Sequence, residues 1–90
     1  MGTDSDTINR ERLATFVEHA MARAASLPQS TATGLLQANA EVLRRHLTAL
    51  SDWAGRERPG PCPPHLKGLS AFDLADAADA LEAEAARRCA

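Results

Sequence analysis

A thiol and an imidazole stand three residues apart in the run Pro61-Cys62-Pro63-Pro64-His65. Soft sulfur and imidazole are ligands for zinc, copper or haem iron. Cys62 and His65 are therefore the first candidates for chemistry, as a thiol or metal sensor. A structural zinc site needs four ligands, usually supplied as two recognisable pairs. His19, His46 and Cys89 are not spaced as a second pair, so the run reads first as a stiff loop with an incidental cysteine, and no cofactor is expected. Asp73, Asp76 and Asp79 invite a cation reading. A step of three residues turns each about 60° from the last around a helix, so they fan across its surface. They read as a solvated face near the positive end of the helix dipole. No nucleophile, base and orienting group stand at a recognisable spacing, and no glycine-rich phosphate loop precedes a helix. The chain reads as non-enzymatic.

The more informative residues are Leu35, Asn39, Val42, His46 and Trp53. With Ala49 they recur at three and four, which places them on one seam of a helix. Leu36, Ala40, Leu43, Leu47, Leu50 and Ala54 form an adjacent seam. Together the two cover an arc of about 200°, where a surface helix needs little more than 100°. Either this helix is central and touches two neighbours, or part of its face meets another chain. Leu35, Asn39, Val42, His46 and Trp53 are the candidate partner-binding residues. Asn39 and His46 are polar inclusions that must find partners if buried. An Asn in an apolar seam can set register and oligomeric state.

Three helices must position these residues. The first is expected over about 7–27, capped by Asp6 or Thr7, with Leu13, Phe16, Val17, Ala20, Met21, Ala24 and Leu27 on one face. Pro28 stops it. A tight link at Gln29-Ser30-Thr31, with Ser30 or Thr31 as cap, starts the second helix over about 31–54. So short a link implies an antiparallel hairpin. Gly55 is placed to end that helix in the left-handed conformation. Residues 55–69 hold four of the five prolines and favour extended, polyproline-like backbone. The third helix, about 70–89, has the clearest start: Ser70 and Asp73 match a capping box, and Leu69 and Leu74 a hydrophobic staple. Its apolar strip is Leu74, Ala77, Ala78, Leu81 and Ala85. Residues 1–6 read as a flexible tail, and 7–90 as one helical domain.

Two short resemblances complete the motif survey. The Cys62-Pro63 pair resembles the haem-responsive motif of some regulators. Trp53-Ala54-Gly55 resembles the tripeptide of small secreted WXG helical-hairpin proteins, in which it occupies the hairpin turn and a tyrosine-containing export signal follows. Here a proline-rich loop follows the tripeptide, Pro28 interrupts the first half and the chain has no tyrosine, so the match does not extend beyond three residues.

Composition sets the outer limits. Of 90 residues, 19 are alanine, the best helix former but a poor source of buried area. This fits one small all-α domain with a thin core, not an α/β enzyme or a sheet sandwich. No apolar run is long enough to span a membrane. The polar, acidic first residues do not form a secretory signal, which points to the cytosol, where both cysteines stay reduced. Net charge is −2. The helical segments carry +1, 0 and −3 and the loop +2, so no helix has a basic face to track phosphates. The expected function is a small interaction protein, an adaptor, accessory subunit or regulator, that binds a protein partner or a second copy of itself through the second helix. The alternative is a DNA-binding regulator or antitoxin-like dimer.

Overall fold

The computed structural model describes Thr3–Cys89. Helix α1 spans Thr3–Ala25, α2 Gln29–Ala54 and α3 Ala71–Cys89, with a single 3-10 turn at Pro64–Leu66. The protein is all-α, with no strand among the described residues. Helix α2 packs on both others, most extensively on α3, and α1 barely touches α3. Arg10 of α1 and Asp73 of α3 line one groove. At the far ends of the same helices the Arg88 guanidinium donates to the Ala24 carbonyl at 3.4 Å. The helices α1 and α3 are therefore parallel, and α2 is antiparallel to both. The radius of gyration is 14.6 Å, against about 12 Å for a compact chain of this length; three long helices set side by side make the molecule elongated.

The buried residues follow the heptad-like spacing of the sequence. Leu36, Ala40, Leu43 and Leu50 of α2 face Leu74, Ala78, Leu81 and Ala85 of α3, with Ala20 and Ala24 from α1. Methyl side chains let α2 and α3 approach closely, but each contributes little apolar area. The missing volume comes from an unexpected place. Leu66, at the end of the 3-10 turn, is fully buried and joins Leu36, Leu74 and Leu81 as one of the four largest fully enclosed side chains.

The proline-rich segment is thus a strap fixed at several points. Leu66 fills the core, and Leu69 and half-buried Cys62 pack against it. Asn9 of α1 donates both amide hydrogens to the strap, to the Pro64 and Lys67 carbonyls at 2.8 Å each. The Trp53 indole N–H donates to the Gly60 carbonyl at 2.8 Å. The expected polyproline-like run survives only in part. Gly68, at φ 83°, is the one positive-φ residue described. It lets the chain turn so that the Leu69 N–H reaches the Leu66 carbonyl at 3.1 Å before α3 begins.

Helix ends differ from expectation in four places, the first being the end of α1, which closes at Ala25 and leaves Leu27 in the turn that follows. Met1 and Gly2 of the expected tail lie outside the described residues, and α1 already begins at Thr3. Thr3, Asp4, Ser5 and Asp6 are all capping residue types, so composition alone does not choose among them. Helix α2 starts at Gln29, not Thr31, and Pro28 is its N-cap with no side-chain hydrogen bond. The Pro28 carbonyl accepts the first helical bond from Ala32 at 2.8 Å, and a cap position requires no N–H of its own. Gly55 ends α2 in a right-handed conformation, φ −82° and ψ −5°, not the left-handed one. The chain tightens there as Arg56 N–H reaches the Trp53 carbonyl. The start of α3 is as expected: Asp73 N–H donates to Ser70 Oγ at 3.0 Å, and Ser70 N–H reaches back to the Asp73 carboxylate at 3.4 Å.

Candidate functional site

The second seam of α2 is less completely covered than the first, in which Leu47 is half-buried and Ala54 exposed. Leu35, Asn39, Val42, His46 and Trp53 are all half-buried, and Ala49 between them is exposed. Leu35 and Trp53 pack against the core cluster. The Asn39 amide donates to the Leu35 carbonyl of its own helix at 2.7 Å, which satisfies it locally. Asn39 and His46 stay apart, two turns or about 10 Å along the axis, and share no partner.

His46 meets His65 of the strap instead, with ring centroids 5.3 Å apart and planes tilted by 59°. This redraws the Cys62–His65 pairing suggested by the sequence. Cys62 turns toward the core, while His65 faces α2. Among the described residues no three His, Cys, Asp or Glu side chains converge as a metal site. Both cysteines are free. Cys89 lies beside Thr33, at the start of α2, and Cys62 belongs to the strap that follows the other end of that helix.

The two imidazoles stand at the wall of a cavity of about 160 Å³ between α1, α2, the strap and the start of α3. Asn9 and Arg12 of α1 share it, and Phe16, Val42 and Leu74 contribute to an apolar floor. Burial first, and the neighbouring His65 second, hold the His46 imidazole below its ordinary pKa. At neutral pH His46 is uncharged and offers one donor and one acceptor. Arg12 is exposed and makes no ion pair among the described residues. Asn9 is 8% exposed. Its two donors are committed to strap carbonyls, which fixes the amide orientation.

No protein-family model matches the chain, and no curated protein or solved structure matches it.

Other exposed features are spread out. A second groove runs between α1 and α3, with Leu13, Val17 and Ala77 on its floor and Arg10, Asp73 and Asp76 at one end. Phe72, 77% exposed, and Ile8, 45% exposed, are the large apolar side chains most open to solvent. No described helix is long and apolar enough to cross a membrane. Asn9, Arg12 and Leu66 escaped the sequence reading. Asn9 and Arg12 fall among the polar positions of α1, and a single leucine between prolines has no periodicity to mark it.

Proposed function

We propose that this is a non-enzymatic interaction module that docks on a protein chain, in the simplest case a second copy of itself, through the second seam of α2. The supporting observation is that Leu35, Val42, His46 and Trp53 are each only half-buried around exposed Ala49. Helix α3 packs on the other seam, and the strap meets His46 and Trp53 of this one. Removing the remaining apolar surface from water is the gain available to a partner. Aromatic anchors such as Trp53 are common at such contacts. The free Cys62 and Cys89 suit a reducing compartment, and we place the protein in the cytosol on that basis.

The DNA-binding alternative has less support. Arg44 is engaged by Asp79 and Glu82, and Arg87 and Arg88 both pair with Glu84. Neutralised cations release no phosphate counterions. The test is solution mass by light scattering for the wild-type chain and two surface variants. Ala49→Glu puts a charge in the middle of the seam, and Gln37→Glu puts one on an exposed position away from it. The reading expects an assembly larger than 9.6 kDa that is lost in Ala49→Glu and kept in Gln37→Glu. Equal masses for all three chains contradict docking of a second copy at this seam.

A further inference from the structure

We infer that the cavity between α1, α2 and the strap is a binding site for a small aromatic monocarboxylate of about benzoate size. The inference does not rest on the docking reading. Two observations carry it. The first is size: the cleft is partly open to solvent and holds about 160 Å³, and an enclosed cavity of roughly 150 Å³ admits benzene. Phe16, Val42, Leu43 and Leu74 give this one a comparable floor.

The second is charge. Arg12, an exposed residue, lines the same cavity and has no anionic partner among the described residues. A guanidinium binds carboxylate through two parallel hydrogen bonds. His46 and His65 lie on the cavity wall 5.3 Å apart and add further hydrogen-bonding groups on that wall. No carboxylate side chain lines the cavity to compete with an incoming anion.

Apolar walls with a few converging polar groups are the usual make-up of a small-molecule site.

The experiment is a ¹H–¹⁵N NMR titration of the full chain with benzoate, and in parallel with benzyl alcohol, its neutral counterpart. Benzoate is expected to shift amides around Arg12, Val42, His46 and Leu69 in a saturable way, with a Kd on the order of 1 mM or tighter. Benzyl alcohol is expected to bind about tenfold more weakly, and Arg12→Gln to weaken benzoate by a similar factor. Val42→Trp fills the cavity from a half-buried position and is expected to abolish the shifts while its spectrum stays dispersed. Equal affinity for the two probes, full affinity in Arg12→Gln, persistent binding in a folded Val42→Trp, or no saturable shift with benzoate each overturn the inference.

Discussion

Replacing Leu66 by alanine tests whether the proline-rich strap is part of the core. Leu66 is fully buried, so truncation removes apolar atoms whose transfer accounts for about 2 kcal/mol and leaves a cavity that adds to that loss. Leu→Ala at enclosed sites costs about 2–5 kcal/mol. A figure near 3 kcal/mol is expected, because the strap has room to settle inward. For a domain of this size each kcal/mol moves Tm by about 4–8 °C, so the midpoint is expected to fall by about 12–24 °C. Chemical denaturation followed by circular dichroism measures the same quantity independently. Phe72→Ala is the control: its side chain is 77% exposed, and such changes stay within about 0.5 kcal/mol. A loss below about 1 kcal/mol for Leu66→Ala, or equal losses for both variants, would refute the view that the strap completes the core.

Asn9→Leu keeps the side-chain bulk but strands the Pro64 and Lys67 carbonyls, and is expected to cost about 2 kcal/mol in thermal or urea unfolding. Arg44→Met removes the contacts to Glu82, at 2.6 Å, and Asp79. All three side chains are substantially exposed, and the expected loss is below about 1 kcal/mol, shrinking further when salt is added. Burial holds folded His46 below its unfolded value of about 6.5, so the unfolded chain binds the proton more readily and acid favours unfolding. The stability this histidine confers is expected to be intact at about pH 7.5 and lost as pH falls through the folded value, and His46→Gln is expected to lessen the drop in Tm between about pH 7.5 and 5.5.

The α-helical plan was legible because it is written locally. Leu36, Leu43 and Leu50 repeat at helical spacing, and Ser70 with Asp73 marks the start of α3 within four residues. What the sequence leaves unmarked depends on contacts far apart along the chain. Asn9 reaches the Pro64 and Lys67 carbonyls across more than fifty residues, and no pattern within α1 signals that. The start of α2, capped at Pro28 and not at Ser30 or Thr31, and the right-handed geometry at Gly55 depart from expectation for a related reason. Residue type limits a helix end, but the path of the chain beyond it decides the geometry. The seam residues of α2 were found by periodicity, yet Asn39 and His46 diverge in role: one bonds its own backbone, and the other faces an imidazole delivered by the strap. His65 was singled out for its nearness in sequence to Cys62, whereas the fold pairs it with His46.

The docking reading meets its most direct test in sedimentation equilibrium of the wild-type chain from low micromolar to near-millimolar concentration. The expected result is a mass that rises with concentration from 9.6 kDa toward twice that value, as the α2 seams of two copies cover one another. A mass that stays at the monomer value across the whole range would contradict self-docking through α2.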